Sequence, residues 1–212
     1  MTTTRGRPRA ISRAMLQEAA FELFLTDGYA GTTVDQIANC AGVSRSTFFN
    51  YFDGKSDVFW VELDGSLELL RDALRDADDR VPVMSAVHRA LVAVGREFGP
   101  GQVPWAITHR DLIGGIDELQ SSAVARVTRL VELLRDEIER RLPASAPPVL
   151  ASAAASAAIG AAVAALVTWA EAGTSRGALS PTLERALSPV CDGFQRTIDS
   201  LAVPVAPRTP ML

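Results

Sequence analysis

Apolar residues recur at steps of three and four along almost the whole chain. No segment alternates apolar with polar positions over the β-branched and aromatic run that a strand needs. The expected fold is all-α. A first helix starts at Ser12, a good N-cap, with Ile11 and Leu16 placed as a hydrophobic staple, and runs through Leu23 and Phe24 to the stop signal Asp27-Gly28. Two short helices follow. A longer one, starting near Ser56, carries Phe59, Leu63, Leu67, Leu70 and Leu74 on one face and ends in the acidic, proline-containing stretch Asp76 to Pro82. Val83, Val87, Leu91, Val94 and Phe98 define the next helix, stopped by Gly99-Pro100-Gly101, and a shorter one follows Pro104. Val124, Val127, Val131, Leu134 and Ile138 line another, which ends before the loop Pro143 to Pro148. An alanine-rich helix and a last one from about Pro181 to Leu201 complete the pattern, and the proline-rich tail from Pro204 to Leu212 is expected to be loose. The expected division is residues 1–55, 56–203 and 204–212.

The most informative segment runs from Gly31 to Phe52. Thr33 and Gln36 form a capping box, Ala38 is small enough for a second helix to cross closely, Gly42 can take the left-handed conformation that ends a helix, and Ser44 can cap the next one at once. That layout is a helix-turn-helix. Val34, Ile37, Val43 and Phe48 would make its small core, leaving Arg45, Ser46, Thr47 and Asn50 outward. Short polar side chains with one guanidinium fork suit the major groove, where arginine pairs with guanine and asparagine with adenine. The alternative is a pair of short core helices with solvated polar residues.

Charge sharpens this reading. The 212 residues carry 21 Lys and Arg against 25 Asp and Glu, a net charge of −4, so any nucleic-acid contact must be local. Arg5, Arg7, Arg9 and Arg13 all precede the first acidic residue, Glu18, and the Arg-Gly-Arg-Pro-Arg tract is narrow enough for a minor groove. A solubilising tail is the competing explanation. Lys55 lies at the start of the long helix, four residues after Tyr51, where a lysine and a helix N-terminus together could hold a phosphate. The same polar, arginine-rich start has no secretory pattern, and a cytoplasmic protein is expected.

At these residues the chain resembles the tetracycline-repressor family of bacterial regulators. The resemblance is carried by Phe21 to Gly28, by Thr32-Thr33-Val34-Asp35-Gln36-Ile37-Ala38, by Ala41-Gly42-Val43-Ser44, and by Thr47-Phe48-Phe49-Asn50-Tyr51-Phe52 followed by Lys55. It covers roughly the first quarter of the chain. It implies a three-helix DNA-binding domain, a larger helical domain that binds a small ligand and dimerises through its last two helices, and repression of an operator relieved by that ligand. Phe49 departs from the tyrosine common there, so a hydroxyl often used on phosphate is absent, while Tyr51 can keep its contact. Thr47 to Phe52, with Lys55-Ser56-Asp57-Val58-Phe59-Trp60, also resembles the subgroup linked to mycofactocin systems, which implies a fatty acyl-CoA effector.

The rest of the chain is expected to sense and to pair. Ser152, Ser156, Gly160 and Ala164 recur every four positions on the uncharged stretch Val149 to Trp169, a flat strip on which another helix can approach closely. With Trp169 and the final helix, two copies would build a four-helix homodimer interface; burial of the same helix inside one subunit is the alternative. This stretch is also long enough for a membrane span, but alanine drives insertion weakly, so a helix buried between others is expected and no membrane partner. Candidate pocket residues are Phe59, Leu63, Trp105, His109, Arg110 and Arg126, each of which has an ordinary surface or core role as the alternative. His88 and His109 lack a second ligand at metal spacing, and Cys40 and Cys191 match no disulfide framework, so neither a metal nor a cofactor is expected. The chain has no G-x-S-x-G, P-loop, dinucleotide fingerprint or H-E-x-x-H. A helical enzyme and a non-regulatory DNA-binding or adaptor protein are the alternatives to a ligand-responsive regulator.

Overall fold

The computed structural model describes residues 12–109 and 116–202, and among them the regular structure is entirely helical. The elements are α1 (Arg13–Gly31), α2 (Val34–Cys40), α3 (Arg45–Phe49), a 3-10 segment (Lys55–Trp60), α4 (Val61–Arg75), α5 (Val83–Arg96), α6 (Trp105–Thr108), α7 (Asp117–Arg141), α8 (Val149–Glu171), a 3-10 turn (Gly173–Ser175) and α9 (Ser180–Ala202). The chain divides into two compact units after Leu63, within α4 rather than at residue 55.

In the N-terminal unit, Ser12 caps α1 by accepting from the Met15 N–H at 3.2 Å. Its proposed staple partner Ile11 lies outside the described residues. The stop at Gly28 is real: its φ of 74° breaks the helical path, and a further turn follows to Gly31. Leu16, Phe21, Phe24, Tyr29, Ile37, Phe48 and Phe52 are buried together with Val58, Phe59 and Trp60 from the 3-10 segment. Phe24 and Phe59 stack at 5.3 Å, and Phe21 and Tyr29 each tilt against Phe59 at 5.8 Å. Gln17 is buried too, its Nε2 donating to the Val58 carbonyl at 2.9 Å and to Glu62 Oε1 at 3.0 Å. Burial of an amide is tolerated because both donors find partners.

In the C-terminal unit, α9 packs on α5 and α8, and α7 packs on α8. Gly95 allows this: a Cβ there would run into the Leu183 side chain of α9, so the absence of one sets how closely α5 and α9 approach. The acidic stretch after α4 keeps its carboxylates exposed and is also clasped by the end of α7. Arg141 donates to the carbonyls of Asp78, Asp79 and Val81, and Arg140 NH2 reaches Asp79 Oδ1 at 2.9 Å. The Arg140 guanidinium holds the Asp79 carboxyl below its ordinary value.

Helix α8 is long and apolar enough to cross a membrane by length and composition alone. One face of it packs within the chain and the other does not. Leu150, Ala154, Ala155, Ala158, Ile159 and Ala165 are buried, whereas Ser152, Ser156, Gly160 and Ala164 are exposed.

Candidate nucleic-acid interface and effector region

The helix-turn-helix forms by the local rules its residues announce. Thr33 Oγ1 accepts from the Gln36 N–H at 3.3 Å, while Gln36 Oε1 accepts from the Thr33 N–H at 2.8 Å, closing the capping box. At the far end, Val43 N donates to Ala38 O and Gly42 N to Asn39 O, with Gly42 at φ 67°. This is a Schellman stop, in which glycine supplies the left-handed residue. Two residues later Ser44 Oγ accepts from the Thr47 N–H at 3.1 Å and starts α3. Ile37 and Phe48 are fully buried in the core so formed, with Val34 and Val43 half-buried.

Arg45, Ser46 and Asn50 are exposed, and Thr47 is half-exposed. The hydroxyls of Ser44, Ser46 and Thr47 are linked, 2.8 Å from Ser44 Oγ to each of the others. Asn50 ends α3, its backbone N–H donating to the carbonyls of Ser46 and Thr47, and Tyr51 follows half-buried. The result is a short helix whose N-terminal turn presents exposed polar side chains, the chemistry a major groove accepts. Arg5, Arg7 and Arg9 lie outside the described residues.

Lys55 departs from its expected role. Its Nζ donates to the carbonyls of Tyr29 at 2.8 Å and Thr32 at 3.0 Å and lies 4.2 Å from the centre of the Tyr29 ring. The ammonium therefore closes the C-terminal end of α1, where unsatisfied carbonyls and the helix dipole favour a cation, rather than pointing at a phosphate. No periodicity in the sequence signals this bond, because its partners lie more than twenty residues upstream.

Three of the expected effector and interface residues are also employed elsewhere. Phe59 belongs to the aromatic core of the N-terminal unit and not to a ligand wall. Arg126 forms a two-pronged ion pair with Asp64, Nε to Oδ1 at 2.8 Å and NH2 to Oδ2 at 3.0 Å, and its NH1 reaches Ser122, so its charge is balanced within the protein. Trp169 is buried within the chain, donating from Nε1 to the Gly177 carbonyl at 2.8 Å under the Arg176 guanidinium, and does not stand on the exposed strip of α8. Leu63 is half-buried. Trp105 and His109 stack at 3.7 Å, nearly parallel, one turn apart. Arg110 lies outside the described residues. Three clefts, of about 430, 320 and 430 Å³, open around α5 and α9, and Leu63, Trp105, His109 and Arg126 line none of them.

Against known proteins, residues 16–59 match the bacterial regulatory proteins of the tetR family. The chain belongs to this family of helix-turn-helix transcriptional regulators, whose members are not enzymes. Residues 81–195, more than half of the chain, match the MftR C-terminal domain, which sets its type within the family. It is 29% identical over 139 residues, 64% of this chain and 68% of the relative, to a protein of Mycobacterium tuberculosis named as the mycofactocin biosynthesis transcriptional regulator MftR. It is 28% identical over 146 residues to the regulator BetI of Escherichia coli, covering 64% of this chain and 72% of BetI. Among solved structures, FadR of Bacillus subtilis in complex with stearoyl-CoA superposes with a TM-score of 0.58 at 16% identity, over 86% of this chain and 99% of that one. The SmeT–triclosan complex gives 0.54 at 18% identity, over 94% and 98%. Operator binding, small-molecule effectors and dimers are typical of the family.

Proposed function

We propose that this chain is a cytoplasmic homodimeric repressor that grips a two-fold-symmetric operator through α3 of each subunit and releases it when a hydrophobic effector binds the C-terminal unit. The observation that carries the reading is the capped N-terminal turn of α3, where exposed Arg45, Ser46 and Asn50 and half-exposed Thr47 would meet base edges, with Ser44 and Tyr51 beside them for phosphates. Thr33 stands at the N-cap of α2, and Arg5, Arg7 and Arg9 would reach the minor groove.

Pairing is supported by the strip Ser152, Ser156, Gly160 and Ala164, exposed and uncharged, where a Cβ added at Gly160 meets nothing within 4 Å. Two such strips facing each other satisfy a two-fold axis, and the axis matches a palindromic site. The effector reading draws on the MftR-type C-terminal domain and on FadR, whose complex holds stearoyl-CoA. Within the C-terminal unit, the stacked pair Trp105 and His109 are the candidate contacts for the effector's acyl chain. A ligand shifts the dimer away from DNA only by binding the incompetent arrangement more tightly.

The test is a titration of the preformed operator complex with acyl-CoAs of graded length and with unrelated apolar compounds such as triclosan. Release by acyl-CoA supports the full reading. Release by another class alone overturns the acyl-CoA identity and leaves a ligand-gated regulator.

A further inference from the structure

Arg45 is already held in place before any DNA arrives. Its NH1 donates to Asp35 Oδ2 at 2.6 Å, and its guanidinium lies 5.4 Å above the ring of Phe49, which is 42% exposed. Asp35 stands in the first turn of α2 and Arg45 opens α3, so the pair bridges the two helices of the motif. Both partners are more than half exposed, at 59% and 57%, and an ion pair so open to water contributes little to folding. The carboxylate also has a cost, since it places negative charge beside a surface meant for phosphates. What the arrangement does achieve is to remove rotamer freedom from a long side chain, clamping one guanidinium nitrogen while leaving the Nε–NH2 edge open. That edge matches guanine O6 and N7.

We propose that Asp35 and Phe49 are positioning residues that set the base specificity of Arg45, trading general affinity for discrimination in favour of guanine. The proposal rests on the reading of α3 as the DNA-reading helix. Asp35 clamps the fork from the α2 side, and Phe49 supports its flat face from the next turn of α3. Neither needs to touch a base.

The experiment is selection from a pool of randomised duplexes with the full-length protein and four variants: Asp35→Asn, Phe49→Leu, Arg45→Ala, and Asp35→Asn combined with Arg45→Ala. The wild type should enrich guanine at one position of each half-site. Asp35→Asn should reduce that preference about threefold while binding random duplex as tightly as the wild type or more tightly. Phe49→Leu should reduce the preference at the same position, and in the Arg45→Ala background Asp35→Asn should change no base preference. An undiminished guanine preference in Asp35→Asn overturns the proposal, as does a loss spread over every position, which would mark Asp35 as a support of the motif's fold. If Arg45→Ala leaves every preference intact on a site that is still enriched, the proposal fails while DNA binding by the family fold stands. If no protein enriches any site, the reading of α3 itself fails.

Discussion

Lys55→Met removes the ammonium and keeps most of the apolar stem over Tyr29, so it isolates the bracket at the end of α1. The wild-type Nζ makes hydrogen bonds of 2.8 and 3.0 Å to the carbonyls of Tyr29 and Thr32 and faces the Tyr29 ring. A hydrogen bond involving a charged group contributes about 1.5 to 3 kcal/mol, and a cation at a helix C-terminus about 0.3 to 1 kcal/mol. Contributions from one side chain overlap, and Lys55 is only half-buried, so the loss should be about 2 to 3 kcal/mol in the N-terminal unit. Hydrogen exchange of the α1 and α2 amides in the intact protein reads this as a rate roughly 30 to 150 times faster, if those amides open with the whole unit. Salt dependence of operator binding separates the bracket from a phosphate contact: loss of one phosphate contact lowers the slope by about 1, whereas loss of a bracket leaves it unchanged. Unchanged exchange together with a slope lowered by one unit would refute the reasoning and return Lys55 to the phosphate backbone.

Gly160→Leu should leave each subunit folded, because nothing among the described residues lies within 4 Å of the added Cβ, yet sedimentation should show monomers with weakened operator affinity; a dimer persisting at micromolar concentration would contradict the α8 interface. Asp64→Asn should cost about 1 to 2 kcal/mol in the C-terminal unit, the discount reflecting side chains 17% and 29% exposed, and a cycle with Arg126→Leu should show most of that as coupling. A cycle with no coupling would sink the assignment. Burial pushes the Cys191 thiol from 9.0 up to about 11, so its neutral form is favoured in the fold; this contribution is complete below pH 9 and is lost as pH rises toward 11. A thiol reagent at pH 8 should therefore modify exposed Cys40 in the native protein and reach Cys191 only on unfolding, as peptide mapping would show.

The parts of the molecule legible in the sequence are those governed by neighbours. The Thr33–Gln36 box, the Gly42 stop and the Ser44 cap each involve residues within five positions of one another, and the structure closes each bond as the residue types predict. The errors arise where local stepping was extended too far or where partners are remote. A period of 3.6 residues per turn puts Phe59 on the face of α4, but it lies in a 3-10 segment, where three residues complete a turn and the facing direction shifts. Arg126 meets Asp64 across 62 positions, and Lys55 meets Tyr29 across 26, separations at which no pattern of residue types predicts a partner. Trp169 lies five residues beyond Ala164, so the helical period itself turns it away from the small residues, and its indole donates to the Gly177 carbonyl beyond the 3-10 turn.

The central claim, that two copies of α3 read a symmetric site under effector control, is tested most directly by footprinting the DNA upstream of the protein's own gene, with and without stearoyl-CoA. The account predicts protection of two inverted half-sites about 34 to 36 Å apart, or a multiple of that distance, one dimer per site, lost in Arg45→Ala and released by the acyl-CoA. Protection of a single unpaired half-site, or a footprint that Arg45→Ala leaves unchanged, would contradict it.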